Sequence, residues 1–366
     1  MTIRLVRMQP TRIDHLSVEG HTSLKRVDVD LRPLNVLVGA NGSGKTNFVR
    51  VLELLGRSAD GELQLYVELA GGASAIIRQP VSNENMTIRL RAVDSTYRVT
   101  LQQTADDRVV IVDERFDRPG VSTDELAAQQ RGSRESALLP SRSEAAGIPR
   151  LLQGCRVYHF SDTGASAAVK AAGPTADNIA LHADARNLAA VLLALRDDDT
   201  RTYDQIVAAV RLVAPYFRDF VLRPESKDRV RLRWRQSDSE TIFSAHQMSD
   251  GTLRFVCLAT LLLQPRLPGV VVLDEPELGL HPFAIVQVSE MIRAASTASQ
   301  VVVATQSVTL IDQLALDDIV VAEREGGATT LSRPDPDRLR DWLDEYSLGE
   351  LWQKNLIGGR PRREAV

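Results

Sequence analysis

The sequence predicts an α/β fold with a mostly parallel core sheet, an antiparallel β lobe and a helical lobe. Three observations lead there. The last third of the chain alternates helical and strand-like segments, the pattern of a parallel sheet covered by helices. Near the start, the apolar run Leu34-Asn35-Val36-Leu37-Val38 opens directly into Gly39-Ala40-Asn41-Gly42-Ser43-Gly44-Lys45-Thr46. A second apolar run, Val270-Val271-Val272-Leu273, ends in the adjacent acids Asp274 and Glu275.

The elements follow in order. Thr11 to Val18 and Arg26 to Leu31 alternate apolar and polar residues, as half-buried strands do. Leu34 to Val38 is apolar throughout, as expected of a strand covered on both faces. Asn47 to Leu55 is helix-like and stops near Gly56. From about Leu63 to Arg115 the period changes to two, with polar turns between the runs, which predicts antiparallel strands. Arg118 to Pro149 is rich in Ser, Gly, Pro and charge and reads as a mobile excursion. Arg156 to Phe160 is another strand, Ala165 to Tyr216 has helical spacing, and Phe220 to Ala245 returns to strands. Then come a helix over Gly251 to Leu263, a strand over Val270 to Leu273, and a helix over Pro282 to Ala295. A strand over Val301 to Ala304, a helix over Val308 to Leu314 and a strand over Ile319 to Glu323 complete the alternation. This organises residues 1–345 as one head of interleaved lobes. Residues 1–60 and 248–345 form the core, 61–117 the β lobe, 118–150 the excursion and 162–247 the helical lobe. Residues 346–366 remain as a C-terminal tail.

Composition narrows the function classes. A chain of 366 residues is long enough for two domains or one large one. Hydrophobic residues at 43% and charged residues at 25% exclude disordered and fibrous readings for its bulk. No apolar run approaches the roughly 20 residues that span a bilayer, and Met1 to Leu5 opens no secretory signal. Cys155 and Cys257 are too few for a disulfide framework or a zinc knuckle, so a reducing, cytoplasmic setting is expected. The net charge of −4 means that any contact with DNA needs a local basic patch.

Gly39 to Thr46 fits G-x-x-x-x-G-K-[ST], with an apolar strand before it and a helix after. Glycines let successive backbone N–H groups turn toward a phosphate, and the helix N-terminus adds positive partial charge. Lys45 would reach the β- and γ-phosphates, and Thr46 would place its hydroxyl on Mg²⁺. Asp274 suits a Mg²⁺ contact, and Glu275 suits polarising an attacking water. Met248-Ser249-Asp250-Gly251-Thr252 opens a helix shortly before that acid-tipped strand.

The segment at Ser249 resembles the signature motif of ABC-type ATPases. Pro276-Glu277-Leu278-Gly279-Leu280-His281-Pro282 is similar to the D-loop of the RecF, SMC and OLD branch. Asn41 before Gly42 and Asn47 after Thr46 give the phosphate loop the same look. Tyr158-His159-Phe160 with Asp162-Thr163, and Leu348 to Trp352 with Gly358-Gly359-Arg360-Pro361, resemble the stand-alone bacterial ATPases of the AAA-21 type. The resemblance covers nearly the whole chain. It implies a P-loop ATPase head that binds ATP and Mg²⁺ and forms a homodimer around two nucleotides. Each nucleotide would lie between Gly39, Ala40, Asn41, Gly42, Ser43, Gly44, Lys45, Thr46 and Asn47 of one protomer and Ser249 and Gly251 of the other. It further implies slow hydrolysis in DNA repair or anti-phage defence, with a nuclease or other effector on a separate chain. The alternative is a nucleotide-gated scaffold with little hydrolysis. No coiled-coil heptads are inserted, which excludes an SMC-like lever arm.

Two features depart from the ABC pattern. Where a histidine is usual, Val303-Ala304-Thr305 leads to Gln306-Ser307, so Gln306 would hydrogen-bond the γ-phosphate or the water without carrying charge. No convincing Q-loop glutamine is present, and Asp162 is a weak stand-in. Arg229, Arg231, Arg233 and Arg235 alternate with Val230, Leu232 and Trp234. They read either as a stripe for DNA phosphates or, the preferred reading, as a solvated edge face. Asp335-Pro336-Asp337 reads as a helix cap before Leu339, and the six histidines show no metal-ligand spacing.

Overall fold

A computed structural model describes residues 12–78, 85–118, 132–136, 147–225 and 228–359. The hairpin β1 (Ile13–His21) and β2 (Leu24–Asp30) leads to β3 (Leu34–Val38) and α1 (Lys45–Ala59). Short helices α2 (Leu63–Leu69) and α3 (Ala73–Ile76) precede β4 (Asn85–Ala92), β5 (Ser95–Gln103) and β6 (Val109–Asp117). Next come α4 (Ile148–Leu152), β7 (Val157–Tyr158), β8 (Gly173–Pro174), α5 (Leu188–Asp198) and α6 (Thr200–Val213). Strands β9 (Phe217–Phe220), β10 (Arg229–Val230), β11 (Arg233–Gln236) and β12 (Ile242–Ser244) follow. The last third holds α7 (Asp250–Leu263), β13 (Val270–Asp274), α8 (Pro282–Ala295), β14 (Gln300–Thr305) and α9 (Val308–Ile311). It ends with β15 (Ile319–Glu325), β16 (Ala328–Ser332), α10 (Pro336–Leu343) and α11 (Leu348–Gln353).

The core sheet has the order β16-β15-β3-β14-β13-β7. It is parallel from β15 to β7, and only β16 runs against its neighbour. Its inner strands are apolar because both faces are covered. Val36, Val38, Leu273, Val301 and Val303 pack into one cluster with α5 to α9. Leu37, Val270, Val272, Val302 and Ala304, the residues between them, pack into a second cluster with α1 and the β lobe. Strand alternation thus splits one sheet between two cores.

The β lobe is a separate antiparallel sheet of order β2-β1-β4-β5-β6. It includes β1 and β2, which the sequence reading placed with the core. Leu16 lies opposite Leu90 and Val18 opposite Ile88, a long-range pairing that local periodicity does not reveal. Residues 63–69 and 73–76 are two short helices rather than period-two strands: Leu63, Tyr66 and Val67 are buried at helical spacing, and Gly71 and Gly72, both at positive φ, separate the two. Glu135 caps α2 from outside, accepting from the Leu63 and Gln64 amides. Most of the excursion expected at 118–150 lies outside the described residues.

The helical lobe begins later than its spacing suggested. Residues 165–187 form a 3₁₀ turn, the short strand β8 and loops, held by Asn187 donating to the Asp177 and Ala180 carbonyls. The tail assigned to 346–366 is built into the head as far as Gly359. Leu348, Leu351 and Ile357 are buried in the first core cluster, and Ser347 and Glu350 form a capping box on α11. Cys155 and Cys257 are both free and buried. Among the described residues no helix is long and apolar enough to cross a membrane.

Gly56 sets the position of α1. A Cβ there would lie 2.2 Å from the Cys155 carbonyl oxygen, which is backbone and cannot swing away. Ala gains up to about 1 kcal/mol of helix propensity over Gly, while overpacking costs about 1–3 kcal/mol. Gly56→Ala should therefore lower the Tm. A raised Tm would show that the contact yields.

Candidate functional site

The parallel strands bring the sequence motifs to one edge. Val38 pairs with Thr305, and Ala304 with Asp274, so β3, β14 and β13 end side by side. The loop after β3, Gln306 after β14, and the acids ending β13 therefore share the carboxyl edge of the sheet, where open α/β folds form their crevices.

The loop's glycines are sterically required. A Cβ on Gly39 would sit 2.3 Å from the Ala322 carbonyl oxygen, and one on Gly44 would sit 2.0 Å from Thr329 Oγ1. Gly44 also has φ +103° and is the N-cap of α1, where no side chain caps the first turn. Its amides remain available to an anion. A hydroxyl relay braces the loop from behind. Asn47 Nδ2 donates to Ser23 Oγ (2.8 Å), Ser23 donates to Thr329 Oγ1 (2.6 Å), and Thr329 donates to the Ser43 carbonyl (2.9 Å). The Asn47 amide thus serves the brace, whereas Asn41 and Thr46 are exposed.

Lys45 is 6% exposed. Its ammonium donates to the carbonyls of Gly39 (2.7 Å) and Ala40 (3.1 Å). Burial pulls its pKa down, and Glu275, Asp274 and Glu277 oppose that shift. Burial pushes the Asp274 carboxyl up, against the nearby His159 ring. His159 Nδ1 lies 2.7 Å from the Asp274 carbonyl oxygen, so that nitrogen carries the proton. Glu275 accepts from Gln306 Nε2 (2.9 Å). Its φ of +48° is uncommon for a residue with a Cβ and marks a local strain of about 1–3 kcal/mol. Glu277 accepts from Thr305 Oγ1 (2.5 Å), and burial raises its pKa.

Among the described residues no group of three or more His, Cys, Asp or Glu side chains could enclose a metal ion. Thr46 and Asp274 offer hard oxygen donors, the set that suits Mg²⁺ when phosphates and waters supply the remaining ligands.

Ser249 is exposed and caps α7, its Oγ accepting from the Thr252 amide. Gly251 abuts the D-loop: a Cβ there would lie 2.7 Å from the Gly279 carbonyl oxygen. No hydrogen bond or ion pair between described residues joins Ser249 or Gly251 to residues 39–47. Arg254, one turn into α7, donates to the Phe160, Ser161 and Leu278 carbonyls at 3.1, 2.9 and 3.2 Å. It ties the loop after β7 to the D-loop. Asp162 accepts only from the Gly164 amide in that loop.

A cleft of about 290 Å³ runs beside α1, lined by His21, Thr22, Arg50, Glu53, Tyr66 and Ile76, among others. Arg50 lies about 7.5 Å along the helix from Lys45. His21 is fully buried, its Nε2 has no hydrogen-bond partner among the described residues, and burial holds its pKa down at about 4.

The arginine run does not form one stripe. Arg229 is on β10, Arg233 and Arg235 are on β11, which belongs to a different sheet, and Arg231 lies in the link between them. Each guanidinium is engaged within the chain: Arg229 by the Ala172 carbonyl, Arg231 by Glu225, Arg233 by the Arg223 carbonyl and Arg235 by Glu240. This favours the solvated-face reading. His159 belongs to a family-like motif but its partner was not legible, and Arg254 and the Ser23–Thr329 brace carry no spacing signature at all.

The phosphate loop, acid-tipped strand and parallel sheet define a P-loop NTPase of the ABC-type head class. The chain belongs to the AAA_21 family, described as "AAA domain, putative AbiEii toxin, Type IV TA system", whose model matches residues 34–312. No curated protein matches the chain. Among solved structures it is similar to an SMC head bound to the C-terminal winged-helix domain of ScpA. That match has 16% identity, covers 87% of this chain and 96% of the other, and has a TM-score of 0.57. An SMC head with an extended coiled coil from Pyrococcus furiosus, bound to the C-terminal domain of ScpA, matches at 14% identity over 92% and 99% (TM-score 0.58). One with a coiled coil and joint from Pyrococcus yayanosii matches at 11% over 92% and 99% (TM-score 0.53). At these identities the likeness is one of fold.

The brace behind the loop is testable. Thr329→Val removes the hydroxyl and leaves the buried Ser43 carbonyl and Ser23 hydroxyl short of a partner, at a cost of about 1–3 kcal/mol. We expect a lower Tm and faster amide exchange over residues 43–45. Unchanged values in both would show that the relay does not hold the loop.

Proposed function

We propose that this protein binds ATP with Mg²⁺, hydrolyses it slowly, and dimerises around the nucleotide. One observation carries the reading. The Lys45 ammonium is held by its own loop's carbonyls within the field of Asp274, Glu275 and Glu277, beside an uncapped helix N-terminus.

The backbone of Gly39 to Thr46 cradles the phosphates. Lys45 leaves the Gly39 and Ala40 carbonyls and turns to the β- and γ-phosphates. Thr46 and Asp274 hold Mg²⁺, which when bound neutralises charge on the phosphate oxygens. Glu275 orients and polarises the attacking water, and Gln306 steadies Glu275 and donates toward the γ-phosphate. The cleft beside α1, which Arg50 helps line, takes the nucleoside. Ser249 and the α7 N-terminus near Gly251 of the second protomer supply the other anion site. That neither shares a hydrogen bond or ion pair with the phosphate loop among the described residues supports a composite site.

The Gln306–Glu275 hydrogen bond also favours a second reading, a nucleotide-gated scaffold with little turnover. Gln306 occupies a carboxylate oxygen that would otherwise face water, and it brings no cation. In either reading the cellular setting is DNA repair or anti-phage defence, with a nuclease or toxin-like effector on a separate chain. The toxin–antitoxin wording of the family description supports such a partner. The internally paired arginines give DNA no dedicated stripe.

Glu275→Gln keeps the side-chain shape and loses the basicity. It should bind ATP about as well as the unaltered protein and hydrolyse it far more slowly. Light scattering coupled to size exclusion should show a dimer with ATP and a monomer with ADP or no nucleotide. The same monomeric mass in all three conditions would contradict assembly around the nucleotide.

A further inference from the structure

The segment after α11 returns to the phosphate loop. Asn355, at φ +61°, reverses the chain, and the Leu356 amide bonds back to the Leu351 carbonyl, closing a Schellman-type end. Ile357 is buried in the first core cluster. Gly358 and Gly359 follow at φ +88° and +85°. The Gly359 carbonyl accepts from the Ala40 amide at 2.8 Å, and the Gly359 amide donates to Glu323 Oε1 at 3.1 Å. The approach is close: a Cβ on Gly359 would lie 3.3 Å from Gly39 Cα and 3.2 Å from Trp352 Nε1. The strut has a firm base, because the Gly349 amide donates to Asp312 Oδ1 at 2.7 Å and fixes α11 to the end of α9.

Ala40 is held from two sides. Its carbonyl accepts from Lys45 Nζ and from the Ser43 amide, and its amide is held by Gly359. The inner hold through Lys45 is the one that nucleotide binding breaks, since the ammonium must leave both carbonyls to reach phosphate. The outer hold takes no amide from the first turn of α1 and survives that change. From this we infer that Gly359 is a positioning residue for nucleotide binding: its carbonyl, aimed by Glu323 and α11, keeps the entry of the phosphate loop in place when Lys45 turns away. The C-terminal segment and the nucleotide site are thereby coupled, and the coupling runs in both directions. The inference rests on the nucleotide reading of the loop given above.

The test uses the full chain. Gly359→Ala forces a Cβ onto a left-handed backbone and into the Gly39 contact. ATP affinity, by calorimetry, should fall about tenfold, a typical size for coupling between sites. A melting curve without nucleotide shows whether the variant is folded. Glu323→Gln, which weakens the grip on the Gly359 amide without adding volume, should lower ATP affinity in the same direction by a smaller factor. A second readout is one that a merely structural role would not move. In the unaltered protein, ATP should slow hydrogen exchange at the Gly359 and Ala40 amides, and in Lys45→Ala it should not. Unaltered protein that binds ATP, with Gly359→Ala binding equally well and no ATP-dependent protection of Gly359, overturns the strut alone. Unaltered protein that binds no ATP overturns the nucleotide reading, and the coupling with it.

Discussion

Lys45 carries a positive charge into a place that is almost dry, and much of the head is arranged around making that tolerable. An isolated buried ammonium costs several kcal/mol. Here the Gly39 and Ala40 carbonyls and the field of Asp274, Glu275 and Glu277 offset it. The acids have the converse problem, since burial pushes the Asp274 and Glu277 carboxyls up. Loop and acid strand therefore stabilise each other's charged forms, and they can do so only because β14 alone separates β3 from β13. With three carboxylates around one ammonium the site holds surplus negative charge. Mg²⁺ would neutralise that surplus, which otherwise repels a polyphosphate.

The surroundings keep this cluster in register. Gly56 lets α1 lie against Cys155, Thr329 braces the loop from β16, and Arg254 joins the loop after β7 to the D-loop. Each is a contact between distant parts of the chain. Ser249 uses its hydroxyl on the Thr252 amide and, like Gly251, shares no hydrogen bond or ion pair with residues 39–47 among the described residues. If α7 of a second protomer completes the site, as proposed, association and nucleotide binding become a single equilibrium.

The sequence was most legible where function and local structure coincide. Gly39 to Thr46 is one strand-to-helix loop and Val270 to Glu275 one strand and its end, so their spacing in the chain is their spacing in the fold. The helices read over Pro282 to Ala295 and Gly251 to Leu263 match the observed elements to within a residue, and His281 and Ser249 cap them. Long-range pairing was not legible. β1 joins β4 across the nucleotide loop and α1, and nothing in either strand announces it. Residues 63–76 misled because a short helix with three buried apolar residues resembles an alternating strand. His159 and Gly359 were quoted as family-like residues, but their partners, the Asp274 carbonyl and the Ala40 amide, lie far along the chain. Solitary backbone contacts of that kind leave no periodic trace.

The central claim is that one protomer's phosphate loop and another's α7 make one site. Complementation between two damaged chains tests it most directly. Lys45→Ala spoils the first half, and Ser249→Arg spoils the second by placing a bulky side chain at the α7 cap. Each variant alone should lack steady-state ATP hydrolysis. Mixed in equal amounts, half the dimers pair unlike chains and hold one intact site of two, so activity should return to roughly a quarter of the unaltered level. Full hydrolysis by Ser249→Arg alone would show that one protomer suffices, and would contradict the account.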